Sequence, residues 1–379
     1  MGETTKISLS LENMLHERNW NSWIRRHLKA LLLGLANIIS ILYLWSYGYA
    51  YTVIISAVVL LGGTLFYWSS CSSDAVAPNQ VVVITGCDSG LGYSLALYCR
   101  HIGITVIAGV LQIDGPGAKV LSLHENIHVH HLDITNTNSI HDFVKKVHSS
   151  MDEGNLVLRT LVNNAAVMVF GEYEWQTEDQ IEHQVRVNLL GTMKITRAFL
   201  PILRAQFGRI ILISSHCGFE PLPGVAVYSA TKAALKAWAS ALRLELKKYG
   251  VSVVSFVPGS FAQESNILAQ QGKYFNAMKA TMLEEATAFY GDYFQRYAQY
   301  FSQFSKATEP KQLENSLIYE KFYRALVDKY PSLTYKCEPW RYFFYHLLFK
   351  MTPTYLHDKL IESFMMLPRW EDKKKAKIS

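Results

Sequence analysis

Val81-Val82-Val83-Ile84-Thr85-Gly86-Cys87-Asp88-Ser89-Gly90-Leu91-Gly92 is the stretch on which the reading of this chain turns. A short β-branched apolar run reads as a strand, three glycines follow it, and 93–101 has helical spacing. Gly86 lets the chain turn tightly, and Gly90 and Gly92 let backbone N–H groups and the helix N-terminus approach a pyrophosphate. The spacing is Gly-x-x-x-Gly-x-Gly rather than the commoner Gly-x-Gly-x-x-Gly, and taken alone it would serve a turn without a ligand equally well. The residues downstream decide between the two.

Downstream, strands alternate with helices. Residues 105–110 read as a second strand, whose end meets the adenosine ribose in a dinucleotide fold. Leu111-Gln112-Ile113 intervenes there before Asp114, no Arg or Lys occurs between Arg100 and Lys119, and the glycine loop carries Asp88 rather than a cation. A ribose 2′-phosphate would have no partner, so NAD is favoured over NADP. Residues 128–134 form a third strand with Asp133 near its end; its histidines fall on alternating faces with no fourth ligand beside them, and no metal is expected. Residues 161–166 are a fourth strand and its loop, and Asn188 lies in the next helix. A fifth strand at 209–215 delivers Ser214 and Ser215 at its carboxyl end. A long amphipathic helix covers 228–249, and a sixth strand at 251–257 closes in Pro258-Gly259. This order predicts an α/β fold with a doubly wound parallel sheet in a single catalytic domain over 80–330.

Tyr228-Ser229-Ala230-Thr231-Lys232 sets a phenol and an ammonium four residues apart on one helix face. A lysine cation beside a tyrosine favours the phenolate and is expected to lower its pKa. Such a tyrosine takes a hydroxyl proton while hydride leaves carbon for a nicotinamide. Ser215 is placed to bond the same substrate oxygen, and Asn188 to fix a water joining Lys232 to solvent. A lone Tyr-x-x-x-Lys is equally a solvated helical pair; the glycine loop, the double Asn and the serine thirteen residues before Tyr228 make the catalytic reading the better one.

At these residues the sequence resembles the short-chain dehydrogenase/reductase family, over about 80–330. The family's cofactor motif falls on Thr85, Gly86, Asp88, Ser89, Gly90, Leu91 and Gly92, and its adenine-side aspartate on Asp133. Its Asn-Asn-Ala-Gly motif falls on 163–166, with Asn163 and Ala165 retained and Ala166 in place of glycine. Pro258, Gly259, Tyr228 and Lys232 complete the implied cofactor contacts, and the implied catalytic tetrad is Asn188, Ser215, Tyr228 and Lys232. The threonine that the family carries after its Pro-Gly is replaced, at Gln263. The resemblance implies a Rossmann-type fold, and within the family it is greatest to the membrane-bound branch of retinol and hydroxysteroid dehydrogenases. Ala108-Gly109-Val110-Leu111, Gly115-Pro116-Gly117-Ala118 and Leu242-Arg243-Leu244-Glu245-Leu246 carry that part of it. It implies an NAD-dependent oxidoreductase interconverting a secondary hydroxyl and a ketone on a lipophilic substrate, a steroid first and retinol or another lipid alcohol as the alternative. A homodimer through the helices flanking Tyr228 and a place in the endoplasmic reticulum follow from the same resemblance. A catalytically weak membrane scaffold is the rival of another class; Ala166 and Gln263 favour it, and intact Ser215, Tyr228 and Lys232 oppose it.

Half of the 379 residues are hydrophobic, enough for one large α/β domain with an extension. The formal net charge of +6 is spread out except at the termini, which is no nucleic-acid footprint. Five cysteines without CxxC spacing give neither a disulfide framework nor a zinc site. Residues 1–27 are polar and end in Arg25-Arg26-His27; 28–68 are nearly uncharged. Roughly 40 such residues would make a helix of about 60 Å, twice the hydrocarbon thickness. That predicts a transmembrane anchor of two spans, about 30–45 and 53–68, turning at Ser46-Tyr47-Gly48-Tyr49, with one tilted span as the alternative. The basic cluster then sets the N-terminus, and after the hairpin the catalytic domain, in the cytosol. Residues 69–79 are a small-residue linker, and 331–379 a C-terminal extension. Its basic tail, Lys373 to Lys377, has lysines third and fifth from the end, as in a cytosolic retrieval signal for the endoplasmic reticulum, and is otherwise a solvated tail. On the substrate side, Tyr290, Tyr293, Phe294, Tyr297, Phe301 and Phe304 recur at helical spacing, as either core packing or a lid, and 340–351 is a second aromatic-rich segment.

Overall fold

The protein is described here by a computed structural model covering residues 34–43, 46, 50–70 (side chains at 51 and 53–63), 76–77, 79–259, 266–303, 309–338, 348, 351–365 and 367–370. The polar residues 1–27, the turn at 47–49, Gln263, Phe304 and the lysine tail lie outside the described residues, as does 340–351 apart from 348 and 351. Two compact units result: Met1–Asp74 with Val327–Tyr330, and Ala75–Leu326 with Pro331–Ser379.

In the first unit, 34–43 are helical and α1 spans Ala50–Ser70. Its apolar side chains face outward, with Val59 69% and Tyr51 85% exposed. Among the described residues no helix is long and apolar enough to cross a membrane. The side chains at 53–63 account for about 16 Å of helix, half a hydrocarbon core.

The second unit is built on seven parallel strands in the order β3-β2-β1-β4-β5-β6-β7. They are β1 Gln80–Thr85, β2 Thr105–Val110, β3 Ile127–His131, β4 Val157–Asn163, β5 Arg209–Ile213, β6 Ser252–Val257 and β7 Thr334–Lys336. Val81, Val82, Val83 and Ile84 are wholly buried, as a central parallel strand covered on both faces demands. Side chains of this size stabilise by roughly 1.5–3 kcal/mol each when buried. One covering helix, Thr137–Gly154, shows how the sequence sets its ends: the Asn136 side chain accepts from the Asn138 and Ser139 N–H groups, and Asn155 closes it at φ 47°. Between those caps Ile140, Phe143, Val147 and Met151 recur every three or four residues and are buried.

The strand order reverses between β1 and β4, so their two carboxyl-end loops diverge from adjacent strands and leave a crevice. The boundary drawn at 330 falls inside this sheet. β7 pairs with β6 at Ser255↔Thr334, Phe256↔Tyr335 and Val257↔Lys336, so residues past 330 complete the layer. Three residues are too few to show a period of two in sequence.

Candidate active site

The crevice begins where the loops after β1 and β4 are fastened together. Thr85 Oγ1 accepts from the backbone N–H of Asn164 (3.0 Å) and Ala165 (3.1 Å), while Asn164 Nδ2 donates to the carbonyls of Thr85 and Gly86, both at 3.0 Å. Gly86 and Gly90 have φ of 71° and 59°, which side chains rarely adopt. At Gly92 the constraint is space: a Cβ there would overlap the Gly86 carbonyl oxygen and the Asn164 amide. The helix that follows, α2 (Gly90–His101), has Ser89 as its N-cap with no side-chain capping bond, which leaves its first N–H groups for an anion. This cradle, which any Cβ at Gly92 would fill, fits the diphosphate of a dinucleotide.

The other sequence-predicted cofactor residues divide into those that touch the cradle and those that shape it. Leu91 is buried. Asp88 turns its carboxylate to the loop after β2, where it accepts from the N–H of Leu111 (3.0 Å) and Gln112 (2.8 Å). Asp133 Oδ1 accepts from the N–H and hydroxyl of Thr135, at 2.8 and 2.7 Å. Asn163 donates to Thr196 Oγ1 (3.0 Å), and its buried Oδ1 has no hydrogen-bond partner among the described residues. Pro258-Gly259 ends β6; Gly259 has φ 84°, and a Cβ on it would stand 2.6 Å from the Cys337 carbonyl oxygen. Asn164, the second residue of the 163–166 motif, has no role assigned from sequence; the pairing of β1 with β4 gives it one.

The four residues of the expected tetrad come together around one helix: Tyr228 and Lys232 stand on it, Ser215 meets Tyr228, and Asn188 bonds Thr231. Ser215 follows β5, and its hydroxyl accepts from the Cys217 N–H (3.2 Å) and bonds the Tyr228 phenol. Tyr228 and Lys232 stand on one face of α3 (Ala226–Lys247), and both are buried. The lysine Nζ donates to the Ile213 carbonyl at 3.0 Å and lies 5.6 Å from the tyrosine ring centre. The expectation of a lowered tyrosine pKa is not what this arrangement produces. Burial pushes the Tyr228 phenol above its ordinary value, with the nearby Cys217 adding to it and only the Ser215 bond opposing. Desolvation outweighs a cation whose hydrogen bond goes to a backbone carbonyl instead of the phenol.

Asn188 belongs to a π-helical turn, Arg186–Gly191, between the helices Glu178–Val185 and Thr192–Ala205. Asn188 is wholly buried on that widened turn. There Oδ1 accepts from the Val167 N–H and Nδ2 donates to the Val167 carbonyl, both at 2.8 Å, with Nδ2 also reaching Thr231 Oγ1 at 3.2 Å. Asn188 therefore ties the loop after β4 to the helix that carries Lys232.

Burial pushes the Lys232 ammonium down to about 8. The folded protein thus releases this proton below the unfolded value, and a penalty present at low pH disappears as pH rises from about 8 to 10.5. Lys232→Met should raise the stability of the cofactor-free protein at pH 7 by up to about 3 kcal/mol. Urea unfolding of both proteins from pH 7 to 10.5 checks this: the gap must close with rising pH, and a gap independent of pH would refute it.

Tyr228 is enclosed by Met168, Val225 and Leu268, with Phe170, Cys217 and Leu222 packed behind them. Phe170 also stacks on Phe301 at 4.2 Å, joining this wall to an aromatic cluster built by the helix Glu284–Ser302. There the edges or faces of Tyr290, Tyr293, Phe294 and Tyr297 surround Trp175 at 5.1–5.6 Å between ring centres. Tyr293 donates to Glu172 (2.8 Å) and Tyr290 to Glu174, so the aromatic face is packed as core against the loop after β4. On the far side of the Tyr228 helix an apolar groove of about 460 Å³ runs between Ile181, Val185 and Leu189 on one wall and Val227, Ala230 and Ala234 on the other.

A doubly wound sheet, a glycine cradle at its switch point and a Ser-Tyr-Lys group beside it are the features of one class of dinucleotide enzyme. Residues 80–273 match the short chain dehydrogenase family, and the chain belongs to it. It is 39% identical over 211 residues to estradiol 17-beta-dehydrogenase 2 of Mus musculus, covering 55% of this chain and 54% of that protein. It is 32% identical over 220 residues to the mitochondrial D-beta-hydroxybutyrate dehydrogenase of Mus musculus (55% and 64%). Retinol dehydrogenase 7 of Rattus norvegicus is 30% identical over 284 residues, 75% of this chain and 88% of that one. The chain spans about half the length of the estradiol dehydrogenases it matches.

Proposed function

We propose that the protein is an NAD-dependent oxidoreductase that interconverts a secondary hydroxyl and a ketone on a lipophilic substrate, a steroid as for estradiol 17-beta-dehydrogenase type 2. The observation that carries this reading is the apolar wall around Tyr228 formed by Met168, Phe170, Leu222, Val225 and Leu268. A small hydroxy acid would need a cation for its carboxylate, and Lys232, the cation beside Tyr228, is given to the Ile213 carbonyl. Retinol or another lipid alcohol suits the same wall and is the second reading. When bound, the nicotinamide supplies the hydride acceptor. The Tyr228 oxygen exchanges the proton with the substrate oxygen, its phenol giving it in ketone reduction and its phenolate taking it in alcohol oxidation, and Ser215 holds the substrate oxygen against it. Burial favours the phenol, and the loss of a proton from Lys232 near pH 8 keeps the neighbouring charge adjustable in the working range. A scaffold that kept the fold and lost the chemistry has Ala166 and Gln263 in its favour, and against it the convergence of Ser215, Tyr228 and Lys232. Turnover of estradiol, all-trans-retinol and D-3-hydroxybutyrate with NAD by the full-length protein tests the reading: oxidation of estradiol supports it, and turnover of the hydroxy acid alone overturns it.

The cofactor preference rests on Asp88. Its carboxylate holds the backbone after β2 and sets a negative charge there, while the exposed Leu111 and Gln112 side chains supply no cation. Gln112→Arg is expected to shift the NAD/NADP ratio of kcat/KM toward NADP by about tenfold, the size of one charge-assisted phosphate contact. A wild-type protein that turns over faster with NADP at equal concentration would contradict this account of the loop.

The exposed apolar side chains at 35, 54, 55, 58 and 59, in a run almost free of charge, support a two-span anchor over 28–68 in the endoplasmic reticulum membrane. In this reading both ends of the chain and the catalytic domain are cytosolic, and the groove beside Val227 and Ala234 is covered in a homodimer. Protease treatment of sealed microsomes should digest the catalytic domain without detergent; protection until detergent is added would exclude the hairpin.

A further inference from the structure

The turn that carries Ser215 is held from outside the family-matched segment. Residues His216–Gly218 form a single 3-10 turn directly after the serine, and a Cβ on Gly218 would lie 2.9 Å from the Lys232 backbone, so the turn rests on the catalytic helix. Beyond the matched residues, β7 brings Glu338 to this turn: the Cys337 N–H donates to the Val257 carbonyl at 2.8 Å, and the next residue places its carboxylate Oε1 2.8 Å from His216 Nε2. That contact is 9% exposed on the glutamate and 22% on the histidine. The following residues of the turn are gripped as well. The Phe219 ring lies under Lys236 Nζ at 4.0 Å and Lys336 Nζ at 4.7 Å, and Glu220 meets His357 Nε2 of the helix Thr354–Met365 at 3.6 Å.

The geometry points to Glu338 as a positioning residue that acts through His216 to fix the Ser215 hydroxyl against Tyr228, so that the active site is completed from beyond the family-matched segment. The argument is one of connectivity. Ser215 Oγ accepts from the Cys217 N–H, the Gly218 N–H donates to the Ser215 carbonyl at 3.1 Å, and His216 lies between those bonds. A largely buried imidazole–carboxylate contact on that residue holds the rotation of the whole turn, and with it the serine oxygen. The Lys336 ammonium stands 3.9 Å from the same carboxylate oxygen. The inference rests on the dehydrogenase reading for its kinetic consequence, while the ordering of the turn stands independently of that reading.

The test uses the full-length protein with NAD and estradiol, and compares Glu338→Gln, Ser215→Ala and the two combined. Glu338→Gln keeps the side-chain volume and removes the charge. It should lower kcat about tenfold with KM for estradiol nearly unchanged, and add nothing further in the Ser215→Ala background. Hydrogen exchange of the 215–220 backbone in the same variant should accelerate. Additive losses in the double variant, or wild-type exchange across 215–220, would overturn the assignment. Should Glu338→Gln not fold, His216→Gln reports on the same pair from its other side with the same expected outcomes. If none of estradiol, all-trans-retinol or D-3-hydroxybutyrate is turned over, the functional reading fails, and exchange at 215–220 alone decides whether Glu338 orders the turn.

Discussion

Tyr228→Phe abolishes turnover and leaves NAD binding within about twofold of wild type, because it removes the proton acceptor and little of the cofactor cradle. The cradle is held by Thr85, Gly86, Gly92 and Asn164, and none of its bonds involves the phenol. The loss at Tyr228 is large because a bare ring has no oxygen to exchange a proton with the substrate, whose hydroxyl is left with Ser215 as its hydrogen-bonding partner in the crevice. Steady-state kinetics with a lipid alcohol and cofactor titration by intrinsic fluorescence measure the two effects separately. A kcat above about a tenth of wild type would show that another group takes the proton.

Gly92→Ala is the second large effect, and it acts on the other half of the site. The added methyl would overlap the Gly86 carbonyl and the Asn164 amide, both of them parts of the bond set that fastens the β1 and β4 loops. The helix N-terminus must move away, opening the cradle and breaking the Asn164 bridge. We expect NAD affinity to fall by about 100-fold or more, roughly 2.7 kcal/mol, and stability to fall by about 3 kcal/mol through overpacking. Calorimetric titration and thermal unfolding check the two numbers. Near-wild-type NAD affinity in a folded Gly92→Ala protein would mean that the diphosphate is not held at this helix N-terminus.

What could be read from the sequence was whatever is written locally. The glycine loop, the Tyr228/Lys232 pair at helical spacing and the β-branched strands each need no more than about a dozen neighbouring residues, and the doubly wound parallel class followed from the alternation of strands with helices. What depends on partners far along the chain was not legible. The roles of Asn164 and Asp88 need β1, β2 and β4 to lie side by side, and the engagement of Asn188 with Val167 and Thr231 needs a π turn that no periodicity announces. The direction of the Tyr228 shift was misjudged because spacing shows that a lysine is near and cannot show that its ammonium is already bonded to Ile213. For the aromatic stripe of 290–301, sequence left core and lid open. The contacts with Trp175, Phe170 and Glu172 come from loops more than a hundred residues earlier in the chain.

The seventh strand also bears on how the chain assembles. β6 and β7 are neighbours in space, yet all of 258–333 separates them, with three α-helices among the described residues and the aromatic cluster. A ribosome therefore finishes six strands, with the outer edge of β6 unpaired, well before Thr334 has been made. During that interval the backbone groups of Ser255 to Val257 are an open edge, the kind that recruits other chains. Completion of the sheet is a late, long-range closure, slow for the same entropic reason that any distant pairing is slow. A nonsense mutation just before 334 would thus yield a protein with every residue of the catalytic group present and a permanently unfinished edge, prone to aggregate rather than merely impaired in rate.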